Sequence, residues 1–181
     1  MTRRQNPIAT RRNHGSRAAG FTLVEILIVV VILGILAAIV IPQFSNASQT
    51  ARENTLKDEL RYLRTQIVVY KAQHRDVPPG YTGADVTSTP DETHMVAQLT
   101  LNSDDLGNTS STPTSAYPYG PYLTKFPTNP LNGLATVRVL GNGASMPPAD
   151  GNTGWIYRPQ TQEIIANVAG SDSASVAYAS Y

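Results

Sequence analysis

Gly20-Phe21-Thr22-Leu23-Val24-Glu25-Ile26-Leu27-Ile28-Val29-Val30-Val31-Ile32-Leu33-Gly34-Ile35-Leu36-Ala37-Ala38-Ile39-Val40-Ile41-Pro42 is the stretch whose reading decides the fold. Residues 21–41 as an α-helix extend about 31 Å, which matches a hydrocarbon core of roughly 30 Å. From Ile26 to Ile41 no side chain is polar. A soluble core helix keeps one polar face, whereas this one is apolar all round. The run is therefore read as a transmembrane helix. Glu25 is its one charged residue. A carboxylate inside a membrane helix costs at least about 2.5 kcal/mol, so it either snorkels to the head groups from the first turn or has a partner or function there.

Working outward toward the N-terminus, residues 1–20 hold Arg3, Arg4, Arg11, Arg12 and Arg17 and no acid. Five of the chain's 14 basic residues thus precede the apolar run, and all 13 acids lie from position 21 on, against nine basic residues there. The overall charge of +1 averages a basic head with an acidic body. Basic residues concentrate on the cytoplasmic side of membrane helices, so the N-terminus is expected in the cytoplasm and the body outside it. An ordinary secretory signal, cut near Ala47, is the competing reading. A run this long exceeds the usual 7–15-residue signal core, and such a cut would discard the anchor.

Toward the C-terminus, Pro42 cannot donate to the Ala38 carbonyl, which predicts a pliable segment around Gly34 and Pro42. Residues 42–76 then carry a single apolar stripe: Leu56, Leu60, Leu63, Ile67 and Tyr70, at spacings of about three and four. This is an amphipathic helix continuing the rod, with Glu53 and Lys57 as an expected i,i+4 ion pair. Val77-Pro78-Pro79-Gly80 ends it. Residues 77–181 are dense in Ser, Thr, Asn, Gly and Pro. Within them, Thr89-Pro90-Asp91-Glu92 predicts an N-cap at Thr89 and a short helix through Met95, Val96 and Leu99. Residues 102–121 read as loop. Leu134–Leu140, Trp155–Arg158 and Glu163–Val168 read as strands, the last two joined as a hairpin. The expected fold class is α+β: a long N-terminal helix packed on a small antiparallel sheet with long loops.

Composition excludes much. With no cysteine, disulfides, thiolate metal sites and cysteine nucleophiles are ruled out. His74 and His94 have no paired metal spacing, and no phosphate-loop, dinucleotide or Gly-x-Ser-x-Gly fingerprint appears. Asp104-Asp105 reads as a solvated loop, and the tyrosines at 117–122 as packing residues. After Arg75 only Lys125, Arg138 and Arg158 are basic, so the exposed region offers little grip on nucleic acid. The sequence gives no reason to expect an enzyme.

Gly20-Phe21-Thr22-Leu23-Val24-Glu25, with a basic leader before it and an apolar run to Pro42 after it, resembles the class III signal of type IV pilins and type II secretion pseudopilins. Gly120-Pro121-Tyr122-Leu123-Thr124-Lys125-Phe126-Pro127 and Asn129-Pro130-Leu131-Asn132-Gly133 are similar to the segment before the sheet in the major, G-type pseudopilin. There a Trp-Gly step stands where Leu131-Asn132 stands here.

The resemblance implies a pilin fold in four parts: a cleaved leader (1–20), a transmembrane and polymerisation helix (21–41), the amphipathic helix (42–76) and a loop-rich periplasmic head (77–181). It implies prepilin peptidase cleavage between Gly20 and Phe21, N-methylation of Phe21, and Glu25 as the residue that sets assembly register against a neighbour's Phe21 amine. The implied partners are further copies in a homo-oligomeric filament, an inner-membrane platform with its ATPase, minor pseudopilins and membrane lipid. The implied function is a type II secretion pseudopilus subunit, with a type IV pilus subunit or a non-polymerising anchored domain as alternatives. The major pseudopilin commonly carries calcium in its C-terminal loops, and here Asp150, Asn152 and Asp172 are the candidate ligands. The stretch Asp150–Gly154 fails as an EF-hand, since Trp155 replaces the turn glycine and Thr161 the closing glutamate. No cofactor is otherwise expected.

Overall fold

The computed structural model describes residues 20–181, so the basic leader lies outside the described residues apart from Gly20. Helix α1 covers Leu23–Gln73 and includes Pro42. The described residues fall into two compact units, one ending at Phe44 and the other covering Ser45–Tyr181. In the first unit the apolar side chains from Leu23 to Phe44 are exposed, as lipid-facing residues of a spanning helix are.

The second unit holds a buried core. The stripe Leu56, Leu60, Leu63, Ile67 and Tyr70 is buried. It packs with Met95 and Leu99 of α2 (Glu92–Thr100) and with Trp155, Tyr157 and Ile164 of the sheet. Burying each such aliphatic side chain is worth about 1.5–3 kcal/mol, which explains why the stripe, and not helix propensity, fixes this half of α1. Helix α1 ends before the left-handed pair Arg75 and Asp76, and Pro78 follows.

The sheet has the order β3-β4-β5, with β3 Val137–Val139, β4 Trp155–Arg158 and β5 Glu163–Ala166. Strands β4 and β5 pair antiparallel (Trp155 with Ala166, Arg158 with Glu163) across a 3-10 turn at Pro159–Thr161. Strands β3 and β4 pair in parallel, Val137 opposite Trp155, so the sheet is mixed and not wholly antiparallel. A parallel pair needs a long connection, and the loop from Leu140 to Gly154 supplies it. Trp155 and Tyr157 enter the main core, while Ile156 meets Leu140 and Ile165 in a second cluster. Covering both faces explains why β4 is buried without alternation.

Two expectations are corrected. The cap of α2 is Asp91, whose Oδ1 accepts from the His94 amide at 2.9 Å, and not Thr89. Asp is the stronger cap, and Glu92 instead accepts from the Val137 amide at 3.2 Å, tying α2 to β3. Within 102–121, β1 (Asn102–Ser103) and β2 (Thr109–Ser110) form a short antiparallel pair. The Asp104 carboxylate closes it by accepting from the amides of Leu106 and Asn108, both at 2.9 Å. Strands this short and polar leave no period-two signal to read.

Candidate functional site

The first turn of α1 is closed by a reciprocal cap. Thr22 Oγ1 accepts from the Glu25 amide at 3.2 Å, and Glu25 Oε2 accepts from the Thr22 amide and hydroxyl, both at 3.3 Å. This is the capping box, in which residue N3 answers the N-cap and two otherwise orphaned N–H groups are satisfied. The carboxylate also sits at the positive end of the helix dipole. Glu25 thus has a partner inside its own chain, while Oε1 makes no hydrogen bond among the described residues. Gly20 and Phe21 precede the helix and are exposed. Gly34 has open space where a Cβ would lie, and Pro42 is inside the helical run. Thr22 was missed as a functional residue, although its Thr-x-x-Glu spacing is the capping signal that the sequence also carries at Thr89–Glu92, where Asp91 takes the cap instead.

In the second unit, the candidate calcium ligands serve separate networks. Asp150 Oδ1 accepts from the Asn167 side-chain amide at 2.7 Å and the Asn152 backbone amide at 3.0 Å, and Oδ2 faces Arg138 at 3.5 Å. These donors, the Asn152 amide foremost, hold the Asp150 carboxyl below the usual range. Asp172 Oδ1 accepts from the amides of Ala174 and Val176, both at 2.9 Å. Its Oδ2 accepts from the Tyr181 hydroxyl at 2.6 Å and pairs with Lys57 at 3.5 Å, and the carboxyl is drawn down to about 2, chiefly by Tyr181. Among the described residues no group of three or more His, Cys, Asp or Glu side chains is placed to hold a metal ion. Asp150 and Asp172 each face hydrogen-bond donors and one cation, Arg138 at the first and Lys57 at the second.

The expected Glu53–Lys57 pair does not form. Lys57 turns to Asp172 and lies 4.2 Å from the Tyr181 ring centre. Buried Glu53 accepts from the Tyr178 hydroxyl and the Gln49 amide, both at 3.0 Å.

Sequence reasoning also missed Asn167, a fully buried side chain that uses all its polar groups. Its Oδ1 accepts from the amides of Asp150 and Gly151 at 2.7 and 3.2 Å, and its Nδ2 also reaches Thr153 Oγ1 at 2.9 Å. Buried Asn129 donates to the Gly154 carbonyl at 2.8 Å. Trp155 Nε1 donates to the Pro127 carbonyl at 2.9 Å, which fastens the Gly120–Pro127 segment to the sheet. Gly154 must be glycine, since a Cβ there would lie 2.1 Å from the Leu134 carbonyl oxygen. Tyr122 is buried in the main core and Tyr119 packs against it.

An exposed apolar helix capped by Glu25, followed by a head packed on the amphipathic half of that helix, defines a pilin-type, membrane-anchored single-pass protein. Residues 15–41 match the family described as the prokaryotic N-terminal methylation motif. The chain is 38% identical over 65 residues to the type II secretion system core protein G of Pseudomonas aeruginosa, covering 36% of this chain and 46% of that one. It is 36% identical over 62 residues to the type IV narrow pilus major component PilA5 of Thermus thermophilus (34% of this chain, 53% of the other). It is 48% identical over 48 residues to the type IV major fimbrial protein FimA of Dichelobacter nodosus (26% and 31%). The chain spans about half or less of the length of these curated relatives. No solved structure matches it significantly. Over its N-terminal third the chain is thus similar to type IV pilins and type II secretion pseudopilins.

Proposed function

We infer that this protein is a structural subunit of a type II secretion pseudopilus. The observation that carries the reading is a carboxylate on the first turn of an all-apolar helix, five residues after Gly20, with one oxygen free of the cap. Prepilin peptidase cuts between Gly20 and Phe21 and methylates the new Phe21 amine. That cation then faces a free carboxylate oxygen of a neighbouring copy, so each charge in lipid finds its opposite and the axial register of the filament is set. The arginine-rich leader keeps the N-terminus in the cytoplasm, with the head in the periplasm. Further copies of this chain, minor pseudopilins, the inner-membrane platform and its ATPase are the partners, and the filament drives protein export across the outer membrane. No cofactor is required, and no step runs through calcium.

A second reading, a type IV pilus subunit serving adhesion, motility or DNA uptake, is favoured by the similarity to PilA5 and FimA. Mass spectrometry of the protein from membranes tests the shared part: a chain beginning with methylated Phe21 is expected, and an intact Met1 would overturn it. Glu25→Ala is expected to abolish filaments while leaving the head folded; filaments of unchanged abundance would remove the register role. Filaments on the cell surface select the pilus, and a secretion defect without them selects the pseudopilus.

A further inference from the structure

A hollow in the head lies between the end of α1, the loop after it and the β4–β5 turn, with a volume of about 620 Å³. That is within the range of small-molecule sites. Its far wall is braced by one side chain. Asn142 Nδ2 donates to the carbonyls of Val86 and Ser88 at 3.2 and 3.0 Å, and Asn142 Oδ1 accepts from the Tyr81 hydroxyl at 2.8 Å and the Gln160 amide at 2.5 Å. Two lining residues, Asp76 (φ 65°) and Gln162 (φ 56°), hold the left-handed backbone that side chains other than glycine adopt at a cost. Both follow a helix end, where the left-handed conformation closes the last turn and fixes where each side chain enters the wall.

The groups left over define the ligand. The Gln162 amide makes no side-chain hydrogen bond among the described residues, and Gln160 keeps its oxygen free. Lys71 and Asp76, 3.3 Å apart, cancel each other's charge. Amides and a neutral ion pair both donate and accept, which suits hydroxyl groups and not a charged ligand. Pro78 and Val86 add apolar surface for a C–H face. The lining residues lie outside the strands, so no ladder edge is offered to an extended peptide. We propose that this hollow, with Gln160 and Gln162 as its recognition residues, binds a neutral saccharide.

The test uses the full chain in detergent micelles. Maltotriose, cellotriose and chitotriose are titrated by calorimetry and by saturation-transfer NMR. Saturable binding of at least one is expected, with Kd on the order of 0.1–1 mM. Gln162→Gly removes the amide while suiting the left-handed backbone, so it keeps the fold; it and Gln160→Ala should each weaken binding about tenfold or more. Lys125→Ala, which does not line the hollow, should change nothing. The proposal is overturned if no trisaccharide binds saturably, if both glutamine variants bind as the unaltered protein does, or if an uncharged Ala/Ser peptide occupies the hollow and excludes the sugar.

Discussion

Asn167→Ala should destabilise the head without touching the membrane helix. The buried Asn167 side chain makes four hydrogen bonds that join the loop at Asp150–Thr153 to the end of β5. The bond to the exposed Asp150 carboxylate is replaceable by water and is set aside. The other three, to the amides of Asp150 and Gly151 and to Thr153 Oγ1, contribute about 0.5–1.5 kcal/mol each, and a small cavity adds to their loss. The total is about 2–4 kcal/mol, or roughly 4–15 °C in Tm for a chain of this size. Trp155 is the sole tryptophan, fully buried and adjacent to Gly154 in the same network, so its fluorescence follows melting of the head alone. The assay is a thermal melt of the full chain in detergent micelles. Asn167→Asp retains the two acceptor bonds but sets a second carboxylate where a donor faced Asp150 Oδ1 at 2.7 Å. It should melt below the unaltered protein at neutral pH and recover part of the difference on mild acidification. An Asn167→Ala variant melting within about 2 °C of the unaltered protein would refute the account.

Acid should weaken the head before its carboxylates titrate. Burial pushes the His74 imidazole below its ordinary value of 6.5, partly offset by its bond to the Tyr70 carbonyl at 2.7 Å. The unfolded chain then binds more protons below about pH 6.5, so stability falls as pH drops from there toward the lower folded value. His74→Gln should flatten that part of the Tm-against-pH curve, and an unchanged slope would count against it. Chelation by EDTA, or added calcium, should leave the Trp155 melting curve in place; a calcium-dependent rise in Tm would show that Asp150 and Asp172 rearrange into a ligand set. Thr22→Val removes the hydroxyl from the α1 cap and should cost about 0.5–2 kcal/mol of helix-start stability. Its readout is faster amide hydrogen exchange at Val24 and Glu25 in micelles, and protection equal to the unaltered protein would show that the cap adds nothing.

The parts legible in sequence are those where one physical term dominates. The apolar run and the stripe from Leu56 to Tyr70 are written in periodicity, and β4 was placed at Trp155–Arg158 because β-branched and aromatic residues cluster there. The parallel β3–β4 pairing was not legible, because strand direction is set by where a loop returns and not by composition. Nor was the exchange of partners at Glu53 and Lys57. Sequence spacing favours their mutual pair by only a few tenths of a kcal/mol. Tyr178 and Asp172, more than 100 positions away, offer better-buried partners. Asn129 and Asn132 stand in a Gly- and Pro-rich stretch that reads as turn, and Asn167 falls in the strand expected over Glu163–Val168. Their structural work depends on reaching carbonyls and amides of distant segments, which single-sequence spacing does not encode.

Glu25 ties the fold to the proposed function through a difference between solvents. The apolar side chains of α1 from Leu23 to Phe44 gain their free energy by leaving water. Once in lipid they gain little more by moving against another copy, because acyl chains are as apolar as leucine. Apolarity therefore explains insertion but gives no reason to polymerise. The one group whose free energy differs strongly between lipid and a protein neighbour is the carboxylate. The cap from Thr22 lowers its cost by satisfying Oε2 and leaves Oε1 for a partner, so the subunit is tolerated alone in the bilayer yet still gains by meeting a cation. A fully satisfied Glu25 would remove the incentive to assemble. An uncapped one would raise the cost of the lone subunit in the membrane.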